Sequence, residues 1–201
     1  MSFFHFVRET FQFIMENLLD ILVVTLAWLV LLVPVITMPG ATMALFHFAR
    51  QGCLRGNTQL RDFVDGLKRY FWRGWLIVMP FALLILLLAY DIAFFLSSEQ
   101  PTLRLLASVP MAIFSLLLIL QSYAFVFFVR ENGALWTSVK RAFLLVASHI
   151  FFSLALLLLM LLYFLGLYVT RIGLAIIFVG PVAVVQTKAV QHLLTAGGIE
   201  F

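Results

Sequence analysis

Residues 74–96 read GWLIVMPFALLILLLAYDIAFFL, an apolar run interrupted only by Asp91, and this stretch decides the class of protein. A hydrocarbon core of ~30 Å is crossed by about 20 residues of α-helix. Inside that core no water is at hand to satisfy backbone amides, so such a run folds as a helix that satisfies its own. Four more runs of the same character surround it. Leu18 to Thr37 comes before; Leu105 to Val129, a segment within Ala142 to Thr170, and a segment from Ile172 to about Val190 come after. The expected fold is all-α, a polytopic membrane helical bundle of about five transmembrane helices.

Composition agrees. Of 201 residues, 64% are hydrophobic and 11% charged, and the mean hydropathy is +1.12, against roughly 45–50% apolar and about 25% charged in soluble domains. A soluble core of this size could not hide so much apolar surface. The single cysteine, Cys53, has no partner for an internal disulfide and gives no sign of an oxidising compartment. Ahead of the first run stand Glu9, Glu16 and Asp20 against Arg8, the reverse of the basic start of a signal peptide, so the first hydrophobic helix is expected to be retained.

Orientation follows from lysine and arginine, which stay on the cytoplasmic side. Arg50, Arg55, Arg61, Lys68, Arg69 and Arg73 precede the second run. Arg130, Lys140 and Arg141 join the third to the fourth, and Lys188 ends the fifth. Arg8, Arg104 and Arg171 fall on the other side in a five-span arrangement with the N-terminus outside and the C-terminus inside. The alternative is that Ile21 to Ala49 turns back at Pro34, Pro39 and Gly40 as a re-entrant hairpin, which leaves the N-terminus inside.

Two segments read as amphipathic helices lying in the interface. Phe3, Phe4, Val7, Phe11, Ile14 and Leu18 share one face opposite Arg8, Glu9, Gln12 and Glu16, and Phe63, Val64, Leu67 and Phe71 form a stripe beside Asp62, Asp65, Lys68 and Arg69. An offset of 72 carries Phe63, Val64, Leu67, Lys68, Arg69 and Phe71 onto Leu135, Trp136, Val139, Lys140, Arg141 and Phe143, and Pro110-Met111-Ala112 falls against Pro181-Val182-Ala183 at 71. The organisation expected is one integral membrane domain over residues 1–201. Residues 1–60 hold the interfacial helix, the first span and a Pro/Gly break; 61–130 and 131–201 read as parallel repeats of an interfacial helix plus two spans, a building plan of transporters. Lys68, Arg69, Lys140 and Arg141 are candidates for a partner or for lipid head groups.

The candidate binding region is Pro34-Val35-Ile36-Thr37-Met38-Pro39-Gly40-Ala41-Thr42. Two prolines remove backbone donors and Gly40 loosens the chain, so freed carbonyls and the Thr37 and Thr42 hydroxyls are expected to face a protein-lined cavity. Gly180-Pro181 is the expected second break, and paired broken helices point to a substrate site. The plain alternative is that the first break only ends a span and starts a surface helix. Asp20 and Asp91 sit toward outer ends of their spans, where interfacial water or a partner such as Arg104 is expected to satisfy them, and His149 reads as a packed histidine. No phosphate loop, HExxH, CxxC or hydrolase elbow occurs, and the four histidines and one cysteine form no ligand cluster. The chain is therefore not read as an enzyme, and no cofactor, metal or nucleic acid is expected.

Asn17-Leu18-Leu19, Trp28, Pro34-Val35-Ile36-Thr37, Pro39-Gly40-Ala41-Thr42, Ala44-Leu45, Phe63 and Lys68 together resemble the YesL-like family of bacterial integral membrane proteins, a domain family of unknown function, over roughly Phe6 to Trp75. The resemblance implies a multi-pass protein of the bacterial cytoplasmic membrane and a link to carbohydrate uptake. The function expected is transport-associated, a permease-like or accessory role with a small polar solute or a transporter component as partner beside the bilayer. The alternative is a scaffold or assembly factor acting through its basic interfacial helices.

Overall fold

The computed structural model describes residues 3–170 and 175–196. Among them the chain forms ten helices and no strand: α1 (Phe3–Glu16), α2 (Leu18–Leu32), α3 (Met38–Arg55), α4 (Leu60–Tyr70), α5 (Arg73–Ser97), α6 (Pro101–Leu106), α7 (Ser108–Arg130), α8 (Leu135–Ser148), α9 (Ile150–Thr170) and α10 (Ala175–Ala196). By length and composition, Arg73–Ser97 and Thr102–Arg130 can each cross a membrane, and the bent pairs α1 with α2 and α8 with α9 raise the number to as many as four. The all-helical architecture matches the expectation. A count of five is not reached among the described residues, and the turn at Arg171 and the start of the expected fifth span at Ile172 lie outside them.

The first expected span is where the structure departs furthest from the sequence reading. α2 stops at Leu32, and Pro34 stands in the turn that follows without an amide hydrogen to continue the helix. The Thr37 hydroxyl is shared between the carbonyls of Leu31 and Pro34, the latter at 2.8 Å, while the amides of Thr37 and Met38 donate to Pro34 O at 2.9 Å and Val35 O at 3.3 Å. The turn thus serves the carbonyls of Leu31, Pro34 and Val35 from within, Trp75 Nε1 of α5 donates to that of Ile36 at 3.2 Å, and the chain folds back as α3. Trp28 Nε1 donates to Thr42 Oγ1 at 3.4 Å and the Thr58 amide to Asn17 Oδ1 at 2.9 Å, so α2 and α3 are an antiparallel hairpin with adjoining ends. The pair has the shape of the turned-back alternative, with Pro34 in the turn and with Pro39 and Gly40 inside α3. Asp20 likewise accepts from Thr58 Oγ1 at 3.1 Å instead of meeting Arg104, whose Nε donates to Ser98 O at 2.7 Å.

On α2, Leu19, Val23, Leu26 and Val30 are exposed at helical spacing while Ile21, Val24 and Thr25 are buried, a lipid-facing stripe backed by an inner face. The inner face meets α3 and α10. α3 is central, packing on α2, α4, α5, α7 and α10. α4 does not float at the surface. It lies back along α3, with Asp62, Phe63, Gly66 and Tyr70 buried and Arg55 Nη1 donating to both Asp62 oxygens at 2.9 and 3.0 Å. α8 packs in the same way on α7.

Two more expectations change. His149, placed inside the fourth run by its sequence, stands instead at a 99° bend between α8 and α9; Ala142 to Ser148 belong to α8, and α9 begins at Ile150, within the expected stretch. Tyr123 OH and Ser153 Oγ, 3.2 Å apart, hold the start of α9 on α7. Nor does Pro181 break its helix, since α10 runs through it unbroken. Gly180 beside it permits close packing, because a Cβ there would stand 2.7 Å from Ile21 Cγ2 and 3.1 Å from Ile21 O.

The same reasoning applies where α5 starts against α3. A Cβ on Gly74 would lie 2.6 Å from Pro39 O and 2.8 Å from its carbonyl carbon, backbone that has no rotamer to swing aside. Gly74→Ala is expected to lower the thermal midpoint in detergent by the equivalent of about 1–3 kcal/mol, although alanine is the better helix former by about 1 kcal/mol. The hairpin makes a second prediction. In a Cys53→Ser background, single cysteines placed at His5 and at Asn57 should be labelled by an impermeant maleimide from the same side of the membrane; labelling from opposite sides would break the hairpin topology.

Candidate functional site

α2, α3, α7, α9 and α10 enclose a cavity of about 230 Å³. Its wall is largely apolar, with Leu45, Phe46, Leu118 and Phe125 prominent, and it carries Thr42, Gln121, Ser122 and Gln186 as a polar row but no charged side chain. α7 supplies Gln121 and Ser122 from adjacent positions, and α10 supplies Gln186 on the face it turns toward α7. Gln186 Nε2 donates to Ser122 Oγ at 3.1 Å, and Ser122 Oγ donates to Leu118 O at 2.8 Å. Thr42 Oγ1 donates to Met38 O at 2.9 Å while accepting from Trp28 Nε1. Gln121 Oε1 is buried and has no hydrogen-bond partner. An acceptor left in that state costs about 1–3 kcal/mol, and a few convergent polar groups in an apolar hollow are the usual form of a small-molecule site.

The structure does not bring the sequence-derived binding residues together. Thr42 lines the cavity. Thr37 and Pro34 lie in the hairpin turn, where the Thr37 hydroxyl is used by local carbonyls. Pro39 and Gly40 are buried beneath the start of α5, a Cβ on Gly40 falling 2.9 Å from Phe71 Cα. Pro181 faces a separate, apolar groove toward α1, although its neighbours Val182 and Ala183 reach the cavity. Gln121, Ser122 and Gln186 were missed in the sequence. Their signal was present as amides and a hydroxyl inside apolar runs, where a polar side chain needs a protein partner.

The basic candidates divide. Arg69 Nε donates to Asn132 Oδ1 at 2.9 Å, Arg73 Nη1 donates to Asn132 O at 3.0 Å, and Arg141 pairs with Glu131. These arginines clamp the turn between α7 and α8, where Asn132 and Gly133 take φ of 56° and 95°. Tyr70 OH donates to Val129 O at 3.1 Å in the same place, and burial raises the pKa of its phenol. Lys68 and Lys140 are exposed, near Trp72 and Trp136, which are 74% and 81% exposed. Cys53, in the last turn of α3, has its thiol pushed up to about 12 by burial. Among the described residues no three of His, Cys, Asp and Glu converge as metal ligands.

An all-helical bundle with apolar helices long enough to cross a membrane, built around a neutral, partly polar cavity, is the make-up of a helical membrane protein. Residues 21–92, which cover most of α2 through most of α5, match the family described as "Protein of unknown function, DUF624". The YesL-like proteins are the DUF624 family, so the match falls largely on the stretch whose motifs resemble that family. No curated protein and no solved structure matches the chain.

Proposed function

We propose that the protein is a transport-associated membrane protein that binds a small, uncharged, hydroxyl-rich solute of the monosaccharide or polyol class in the cavity between α2, α3, α7, α9 and α10. It carries that solute or presents it to a transporter, and performs no chemistry on it. The observation that carries this reading is the buried, partnerless Gln121 Oε1 beside the Gln186–Ser122 bond, an acceptor waiting for a hydroxyl donor. The absence of charge in the lining favours a neutral solute. A volume of about 230 Å³, below the ~300–1,000 Å³ of drug-sized sites, excludes oligosaccharides. The family resemblance, with its link to carbohydrate uptake, points the same way.

The second reading is a scaffold that moves nothing. It is favoured by the exposed Lys68 and Lys140 with Trp72 and Trp136, since internal bonds occupy Arg69 and Arg141 but not these lysines.

Thermal stability of the detergent-purified protein across monosaccharides, polyols and oligosaccharides separates the two. A ligand of the folded state at a hundred times its Kd adds about 2.7 kcal/mol of stability. The solute reading expects a saturable upward shift with a monosaccharide or polyol and none with oligosaccharides. Gln121→Leu is expected to hold or raise the unliganded midpoint, because it removes an unmet acceptor, and to abolish the shift. If no sugar or polyol shifts the native protein, the solute reading falls and the scaffold reading stands.

A further inference from the structure

α1 does more than rest on the surface. Phe6, Thr10, Phe13 and Ile14 are buried, with the Phe6 ring 5.5 Å from those of Phe152 and His192, while Phe11 is 60% exposed. Two hollows meet under this helix. One is a polar cleft of about 460 Å³, reaching from α1 to α3 and α10, with Glu9, Gln12, Glu16, Lys188, Gln191 and Thr195 on its wall. The other is a groove of about 260 Å³ between α1, α9 and α10, lined by Val7, Phe11, Ile14, Leu159, Pro181 and Val185. Phe6 and Thr10 belong to both walls.

Two polar groups at this junction are incompletely served. Thr10 is 3% exposed and its Oγ1 has no hydrogen-bond partner. Lys188 Nζ sits 4.3 Å from the centroid of the Phe13 ring and 3.5 Å from the Glu9 carbonyl oxygen. Among the described residues it is in no ion pair. A half-buried ammonium over an aromatic face, with carboxylates in the same cleft but none within ion-pair distance of it among the described residues, has room for an anionic oxygen. The carboxylates beside it are of opposite sign. Glu9 lies 3.5 Å from His5 Nδ1, and Glu16 accepts from Gln12 Nε2 at 2.9 Å, which leaves acceptor capacity on both.

The combination selects among ligands. A soluble metabolite leaves the apolar groove empty. A fatty acid or an anionic phospholipid meets two carboxylates against one ammonium. A phosphate for Lys188 joined to an ammonium for Glu9 and Glu16, with an ester carbonyl to accept from Thr10 Oγ1 and the acyl chain beyond it in the groove, uses every group. We infer that α1, α9 and α10 hold one zwitterionic aminophospholipid of the phosphatidylethanolamine type, head in the cleft and chain in the groove. The site is separate from the solute cavity and does not depend on it.

Native mass spectrometry of the full chain in detergent, titrated with dioleoyl phosphatidylethanolamine, phosphatidylcholine and phosphatidylglycerol, tests this. Phosphatidylethanolamine should bind about tenfold more tightly than phosphatidylglycerol, the size expected for a charge-assisted hydrogen bond gained. Phosphatidylcholine, with no ammonium hydrogens to donate, should fall behind as well. Glu9→Gln with Glu16→Gln should erase the preference for the ethanolamine head group, and Lys188→Met should weaken phosphatidylethanolamine and phosphatidylglycerol alike. Should Lys188→Met fail to fold, the ranking on the native chain and the exposed glutamate pair decide. Equal binding of the three lipids, tighter phosphatidylglycerol, or competition by glycerophosphoethanolamine equal to that of the intact lipid would overturn the proposal.

Discussion

A helix bearing Thr42, His47 and Arg50 along its length cannot lie against hydrocarbon, where one ionised side chain costs about 2.5–3.5 kcal/mol even by the mildest scale. The fold answers by wrapping α3 in protein. α2 and α10 flank it, α4 doubles back along it, and α5 and α7 complete the enclosure. Met43, Ala44, Phe48 and Ala49 are fully buried as a result. The small residues of the unit follow from this arrangement, since Gly40 and Gly74 let α5 begin against the first turn of α3 without a Cβ between them.

The same enclosure creates the cavity. α7 and α10 turn amide and hydroxyl side chains toward α3, and most find partners there: Gln186 on Ser122, Ser122 on Leu118, Thr42 on Met38. Gln121 Oε1 remains over. Leucine at that position would remove an unmet acceptor, which is why the solute proposed for this cavity turns on Gln121.

The sequence disclosed the fold where the signal is one of length and composition. The runs at Gly74 to Leu96 and Leu105 to Val129 emerge as α5 and α7 nearly residue for residue, because burial in lipid leaves only the helix. It misled where a change of direction depends on a local bond. α2 ends just before Pro34, but Pro39 and Gly40 lie inside α3, and the fold-back of α3 on α2 rests on the Thr37 hydroxyl on Leu31 and on Asn17 with Thr58, contacts that no periodicity contains. The α8–α9 bend at His149 was hidden for the same reason. Proline was also an ambiguous guide to the site, since α10 absorbs Pro181 without interruption. Thr42 was found from the motif, whereas Gln121, Ser122 and Gln186 converge on it only through the packing of α3, α7 and α10.

The α2–α3 hairpin bears on the order in which the fold can close. Asn17 and Thr58, at its two ends, meet across 41 positions of chain, and α4 joins α3 through Arg55 and Asp62, seven positions apart. Both contacts lie wholly within the chain that precedes α5, so a polypeptide growing from its N-terminus holds every group they need before Gly74 is made. The start of α5 is then received by a surface ready to seat it, with Pro39 and Gly40 already in place.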